Sequence, residues 1–162
     1  MTKKQSGFTI VELLIVIVVI GILAALVITT FSGIQQKGRD TKRQTDIKAL
    51  HSQLEAFFAQ NGGGYPVIAD VNTAAWRTTN MKGLDEAALC DPSNQTQTGC
   101  ELAGTATEGG SAQYGYATTA EDGTTACTGA AGANVVCAKY TLTANLEGTI
   151  NGADTYTKAS LN

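Results

Sequence analysis

The stretch that decides the fold is residues 7–31, GFTIVELLIVIVVIGILAALVITTF. Between Phe8 and Phe31 it contains one charged residue, Glu12, and no Lys, Arg, Asn, Gln or Pro. About 20 apolar residues in a helix are enough to cross the hydrocarbon core of a bilayer. The sequence therefore predicts a membrane-spanning helix that begins directly after a short polar leader.

Glu12 is unusual because a carboxylate inside such a segment costs up to a few kcal/mol. It either reaches water at the membrane surface or meets a cation from a neighbouring copy. Cleavage after Gly7 would give Phe8 a free α-amine, whose pKa of about 8 keeps it largely protonated at neutral pH. Pairing of this amine with Glu12 of the next subunit would specify the register of packed helices rather than add much stability.

The pattern G-F-T-x-x-E-L-L before an apolar run resembles the signal of type IV prepilins and of type II secretion pseudopilins. The resemblance is close over about the first 60 residues, and it implies cleavage by a prepilin peptidase after Gly7 and N-methylation of Phe8. An ordinary secretory signal fits less well, because its apolar region is shorter and precedes the cleavage site. The matching residues are the Lys-containing leader, Gly7, Phe8, Thr9, Glu12, Leu13, Leu14 and 20–25.

Thr29 departs from this family, which often has Pro at the corresponding position. Proline removes a backbone donor and kinks or breaks a helix, whereas threonine does so far less. We therefore expect the segment that unwinds in many pilin filaments to be shorter or absent in this chain.

Three regions are predicted: a prepilin leader (1–7), a transmembrane and assembly helix (8–31), and a globular head (32–162). One long helix from Phe8 to Gln60 joins the last two, with its apolar first half protruding and its second half packed on the head. The glycines after Asn61 end it, because glycine accepts the left-handed conformation of a helix C-cap. The packing stripe is predicted to be Ile34, Ile47, Leu50, Leu54, Phe57 and Phe58.

The last third of the chain reads as β-strands. Residues 113–118 alternate, and so do residues 135–146, while Asn151-Gly152 is a turn that leads to a short strand around Tyr156. We expect a short strand or loop at 67–68, one or two helical turns at 84–89, and surface loop over 91–113. The predicted class is α+β, the pilin fold: a long N-terminal helix on a small antiparallel sheet. The inward face of the main strand is Val136, Ala138, Tyr140, Leu142, Ala144 and Leu146.

Four cysteines lie in the head. Cys90 and Cys100 are ten residues apart, and so are Cys127 and Cys137. Zinc sites use tighter spacing, so metal binding is not expected. An even number in an exported segment indicates two disulfides. Pairing Cys90 with Cys100 and Cys127 with Cys137 is favoured because each closes a polar, glycine-containing loop, and an interlocked pairing stays open.

The charges are distributed unevenly. Residues 1–43 contain six basic and two acidic side chains, a net charge of +4, whereas 44–162 contain five basic and twelve acidic ones, a net charge of −7. An acidic head repels a phosphate backbone, so no nucleic-acid partner is expected. The basic residues after the apolar run either contact anionic lipid or lie on a solvated helix face with pairs such as Asp40–Arg43 and Asp40–Lys37; the second reading is favoured.

Neither catalysis nor a cofactor is predicted. His51 is the single histidine, and no nucleophile–base–orienter set accompanies it, so the protein is not expected to be an enzyme. The resemblance raises calcium, which clustered carboxylates would bind. Glu121, Asp122 and Asp154 match no defined calcium loop, so no metal ligand is assigned.

The function predicted first is a structural subunit of a type IV pilus for adhesion or motility. Its expected partners are further copies of itself in a filament, the prepilin peptidase, and a pilus assembly platform and motor. The subunit would wait in the cytoplasmic (inner) membrane with its head outside, and then join a cell-surface pilus. The alternatives are a type II secretion pseudopilin, and a monomeric membrane-anchored binding protein that is not processed at Gly7.

Overall fold

The computed structural model describes residues 7–94, 100–109, 112–133 and 135–162, with the backbone alone at 28–30. Helix α1 runs over Ile10–Gln60, and a small antiparallel sheet accompanies it, which confirms the predicted pilin-like α+β class. The head adds two short helices and a 3₁₀ turn at Glu86–Leu89. The other elements within the described residues are α2 (Ile68–Asn72), α3 (Ala74–Asn80), β1 (Tyr65–Pro66), β2 (Gly115–Thr119), β3 (Val136–Cys137), β4 (Lys139–Ile150) and β5 (Ala153–Ala159).

The chain forms two compact units, residues 1–37 and 38–162. In the described part of the first unit the apolar side chains are exposed, from Phe8 at 85% to Ile34 at 67%. This helix is long and apolar enough to cross a membrane, and its most apolar stretch is not buried in the fold. The prediction that Ile34 belongs to the packing stripe is wrong, because Ile34 is 67% exposed and Asp40 is the first buried side chain among the described ones of α1.

The backbone of α1 is helical through residue 29, but the side chain of Thr29 lies outside the described residues. Residues 1–6 of the leader also lie outside them. Whether the helix shortens or melts in a filament therefore stays a prediction.

The end of α1 is a Schellman motif. Gly62 and Gly63 have φ values of +76° and +93°, and Gly63 N–H donates to the Phe58 carbonyl at 3.1 Å. This bond satisfies one of the carbonyls that the last helical turn leaves unpaired. The predicted helix end after Gln60 is thus confirmed.

The three-stranded sheet has the order β2-β4-β5, and both pairings are antiparallel. Asn151 and Gly152 have φ values of +52° and +83° and form the two-residue turn between β4 and β5, where Ile150 pairs with Ala153. Positive φ at both central positions is what a type I′ hairpin turn requires. The predicted turn and final strand are both present.

The core lies between α1 and this sheet. Ile47, Leu50 and Leu54 of α1 are fully buried in a cluster with four tyrosines. These are Tyr65 of β1, Tyr114 just before β2, Tyr116 of β2 and Tyr140 of β4. Each buried tyrosine hydroxyl has an acceptor, as burial of a polar group requires. The hydroxyls of Tyr65 and Tyr140 donate to Glu55, that of Tyr114 to Asp46, and that of Tyr116 to the Pro66 carbonyl.

The predicted continuous strand at 135–146 is wrong in its first part. Val136 is 56% exposed while Cys137 is buried, the reverse of the predicted alternation. The reason is that Val136 and Cys137 pair with β1 in a separate two-stranded sheet, and the chain bends at Ala138 before β4 begins. From Tyr140 onward the predicted inward residues Leu142, Ala144 and Leu146 are buried.

The segment between β1 and the first cysteine is more helical than predicted. Ile68 begins α2 rather than a strand, and α3, which carries Trp76, has no counterpart in the predictions. The expected helical turn at 84–89 is present as the 3₁₀ turn, with Asp85 capping it by accepting a bond from Ala87 N–H at 3.0 Å. Trp76 packs on Phe57 with ring centroids 5.1 Å apart, as a residue at the edge of the core.

Candidate functional site

The first turn of α1 contains Thr9 and Glu12 in a reciprocal arrangement. Thr9 N–H and Thr9 Oγ1 donate to Glu12 Oε2 at 2.8 and 2.6 Å, and Glu12 N–H donates to Thr9 Oγ1 at 3.3 Å. Thr9 is the N-cap residue and Glu12 stands three positions later, so the two form a capping box. The sequence signal T-x-x-E was available, but the prediction for Glu12 did not use it.

This arrangement bears on the proposed pairing with a neighbour. Within a single subunit the Glu12 carboxylate is bonded to its own helix start, and both of those bonds fall on Oε2. The capping box therefore fixes the carboxylate at the helix start, with the bonds from Thr9 on Oε2 and not on Oε1. Phe8 itself is 85% exposed, and a methyl group added at Gly7 would meet no atom within 4 Å. The fold thus places no demand of its own on a glycine at position 7.

The head is tied to the middle of α1 by a group of polar residues that we call the Arg43 cluster. Arg43 is 3% exposed, and its guanidinium donates to Asp91 from Nε and Nη2 at 2.8 and 3.0 Å. Nη1 lies 2.7 Å from Asp40 Oδ1 and 3.0 Å from Glu147 Oε1. The Arg43 cluster consists of Asp40, Arg43, Asp91, Ser93 and Glu147.

Asp40 links α1 to β4 within this cluster. Its two carboxylate oxygens accept the backbone N–H groups of Glu147 and Gly148, each at 2.9 Å. Arg39 contacts Glu147 from the exposed side through two of its nitrogens. The helix is therefore fastened to the strand by main-chain as well as side-chain bonds.

The pKa values of the cluster follow its contacts. Burial acts against the charge of Arg43, yet the hydrogen bonds to Asp91 and Asp40 raise its pKa above the ordinary value. The hydrogen bond from Arg39, helped by Arg43, lowers the pKa of Glu147 from 4.5 to about 2. Both groups therefore stay charged across the physiological range.

These contacts test the interpretation of the basic residues as a solvated helix face. The predicted Asp40–Arg43 pair is present, but the predicted solvated face is wrong for Arg43, which is buried. Arg39 contacts Glu147, and Lys42 Nζ lies 2.6 Å from Asp46 Oδ1. The periodicity of the sequence could not show that acidic partners would arrive from β4 and from the loop after Cys90.

The cysteines form two disulfides, Cys90–Cys100 and Cys127–Cys137, with Cα–Cα distances of 5.2 and 5.8 Å. This is the pairing that the sequence favours. The described residues include Asp91, Ser93 and Asn94 of the first ring, while 95–99 lie outside them. In the second ring, Gly132 N–H donates to the buried carboxylate of Asp70 at 2.6 Å.

The three acidic residues considered for calcium are not brought together as a ligand set. Asp122 instead accepts bonds from Thr124 N–H and Thr125 N–H at 2.9 and 2.8 Å, which closes a turn. The Thr125 hydroxyl also donates to Asp122, and this bond has the largest effect on the pKa of Asp122. Together with the two backbone bonds it lowers that pKa to about 2. The described part of the chain contains no group of three or more His, Cys, Asp or Glu that could hold a metal ion. His51 lies 3.2 Å from the Ala159 carbonyl, at the edge of the core.

A family profile described as the prokaryotic N-terminal methylation motif matches residues 2–28. That range contains Gly7, Phe8, Thr9 and Glu12. In this motif the chain is similar to type IV pilins and type II secretion pseudopilins. The profile describes an N-terminal methylation motif and not a catalytic domain.

Relatives named as secretion-system and pilin proteins match part of the chain. Type II secretion system core protein G of Dickeya chrysanthemi is 41% identical over 61 residues, which cover 38% of this chain and 40% of that protein. The Escherichia coli K12 protein of the same name is 42% identical over 60 residues, covering 37% of this chain and 41% of its own length. Type IV major pilin protein PilA of Myxococcus xanthus is 39% identical over 57 residues, covering 35% and 26% of the two chains.

The match to these relatives thus covers less than half of their length and at most 38% of this chain. No solved structure matches the chain significantly. A known family profile therefore describes the N-terminal motif, whereas the head and its Arg43 cluster have to be interpreted from their own geometry.

Proposed function

We propose that the chain is a structural subunit of a type II secretion pseudopilus, assembled through the apolar part of α1. The observation that carries this proposal is the N-terminal methylation motif on a helix whose apolar side chains are all exposed up to Val27. Most of the relatives are type II secretion system core protein G, which favours the pseudopilus over the pilus predicted first from the sequence. Exposed apolar surface of this extent needs lipid or other copies of the helix around it.

Processing follows from the same residues. The prepilin peptidase would cut after Gly7, and Phe8 would become the N-methylated amino terminus. The new ammonium group of one subunit would then pair with the Glu12 carboxylate of the next. Before assembly the subunit would lie in the cytoplasmic membrane with its head outside, and an assembly platform and motor would extract it.

A type IV pilus subunit is the second candidate, because the PilA protein of Myxococcus xanthus is 39% identical to this chain over 57 residues. The shared helix does not separate the two functions, since both kinds of filament use it for assembly. The head would make the difference, because it determines what the filament surface contacts.

Removal of the chain from its host separates these candidates. The pseudopilus predicts that exported enzymes accumulate in the periplasm while surface filaments persist. The pilus predicts loss of surface filaments in electron micrographs with normal secretion. Unchanged secretion together with unchanged filaments would contradict both. Restoring the wild-type chain, but not the Glu12→Gln variant, should reverse the defect.

A further inference from the structure

The Arg43 cluster takes two of its members from inside a disulfide ring. Asp91 directly follows Cys90, and both Asp91 and Ser93 lie in the loop that the Cys90–Cys100 bond closes. Arg43 donates to Asp91 from Nε and Nη2, and Nη2 also donates to Ser93 Oγ at 2.6 Å. One whole edge of the buried guanidinium is therefore satisfied by this ring.

The ring holds Asp91 in place by local bonds as well. Ser93 N–H donates to Asp91 Oδ1 at 2.8 Å, and Asn94 N–H donates to the Asp91 carbonyl at 2.9 Å. Asp91 is 3% exposed, so water does not replace it readily. If the loop moved away, Arg43 would keep its contacts with Asp40 and Glu147, but two of its nitrogens would lose their acceptors. A buried donor without an acceptor carries the full cost of its desolvation.

We propose that the Cys90–Cys100 bond is a redox-controlled lock that fastens the head to α1 at residues 39–46. The lock closes when the two thiols lose two protons and two electrons to a disulfide-bearing oxidant, by thiol–disulfide exchange through a mixed disulfide. Asp91 and Ser93 are then held against Arg43. In a reducing compartment the open loop releases that edge of Arg43, and the Asp40 bonds to β4 remain. The lock does not depend on which filament the subunit builds.

The second disulfide supplies a matched control. Cys127–Cys137 has the same sequence separation of 10 residues, so the two rings restrict the unfolded chain to a similar degree. Within its described residues, Gly132 N–H donates to Asp70 of α2 rather than to the Arg43 cluster. A lock specific to Arg43 predicts coupling to the first disulfide and none to the second.

The test is a double-mutant cycle on the full chain in detergent. Arg43→Met is introduced into the wild type, into C90S/C100S and into C127S/C137S, and urea unfolding is followed by fluorescence of Trp76, the one tryptophan. In the wild type and in C127S/C137S, Arg43→Met should raise the unfolding equilibrium constant by the same factor. In C90S/C100S that factor should be about tenfold smaller, since contacting groups are not additive. Equal factors in all three backgrounds would overturn the lock.

A second measurement serves if C90S/C100S does not fold. The C127S/C137S variant is treated with dithiothreitol, which reduces the Cys90–Cys100 disulfide to two thiols by thiol–disulfide exchange. Dithiothreitol is oxidised to its cyclic disulfide in the same reaction. Amide exchange at residues 39–46 should then accelerate about tenfold, as expected for a local opening, whereas residues 50–57 should change little. Unchanged exchange at 39–46 after complete reduction would contradict the proposal.

Discussion

Thr9 donates two hydrogen bonds to Glu12 Oε2 at the start of α1. The same carboxylate is the one proposed to pair with the Phe8 amine of a neighbouring subunit. Glu12 thus has two separable tasks, closing its own helix start and presenting a negative charge to the next copy. A helix N-terminus also favours a negative charge by its dipole, so this position suits both tasks.

Glu12→Gln tests the charge. The glutamine side chain can still accept the bonds from Thr9, since capping boxes accept Gln as well as Glu at this position. It cannot form an ion pair with an ammonium group. We expect normal amounts of membrane-inserted protein and loss of filaments. The amount of the chain is compared between the membrane fraction and the filaments sheared from cells that overexpress it.

Thr9→Ala is the matched control for the cap. It removes the hydroxyl contacts but keeps the carboxylate, and loss of an N-cap costs about 1 kcal/mol. Filaments should persist with this variant, at reduced yield at most. Filaments from Glu12→Gln at the wild-type level would contradict the pairing.

Arg43→Met should destabilise the folded head strongly. Removing one partner of a buried ion pair leaves an uncompensated charge, here on Asp91, and costs about 3–5 kcal/mol. Arg39→Met removes an exposed pair with Glu147 and should have a much smaller effect. Urea unfolding of the full chain in detergent measures both. Equal effects of the two substitutions would show that Arg43 is not buried among its partners.

The stability of the head should fall in acid partly through Glu147. The pKa of Glu147 falls from the ordinary glutamate value of 4.5 to about 2 in the folded protein, so folding favours its charged form. That contribution is fully present above pH 4.5 and is lost as the pH falls toward 2. Glu147→Gln should therefore flatten the dependence of unfolding free energy on pH in this window.

Glu121→Gln, at an exposed turn, is the control for this measurement. It should leave the slope between pH 4.5 and 2 close to that of the wild type. A slope that Glu147→Gln leaves unchanged would mean that other carboxylates carry the acid sensitivity.

The sequence predicted the elements whose pattern is local. The apolar run, the glycines after Asn61 and the Asn151-Gly152 turn each reflect one nearby physical preference, and the corresponding helix, helix end and hairpin are all present. The disulfide pairing was favoured for a similarly local reason, because each bond closes a short loop.

The Arg43 cluster could not be predicted in the same way. Asp91 and Glu147 lie 48 and 104 positions from Arg43 in sequence, and no periodicity reports that they meet it. The break at Ala138 was also missed, because alternation continues through it in the sequence while the chain changes from one sheet to another. The Thr9–Glu12 capping box is a local feature that the sequence could have predicted, since the two residues have the T-x-x-E spacing of this motif.

The most direct test of the account is the intact mass of the protein in purified filaments. If the chain is processed after Gly7 as proposed, we expect it to begin at Phe8 and to carry one methyl group on its amino nitrogen, with both disulfides formed. A Gly7→Val control should stay unprocessed in the membrane fraction, because a larger residue at the cleavage position blocks the peptidase. A mature chain that still begins at Met1, or that lacks the methyl group on Phe8, would contradict the central claim.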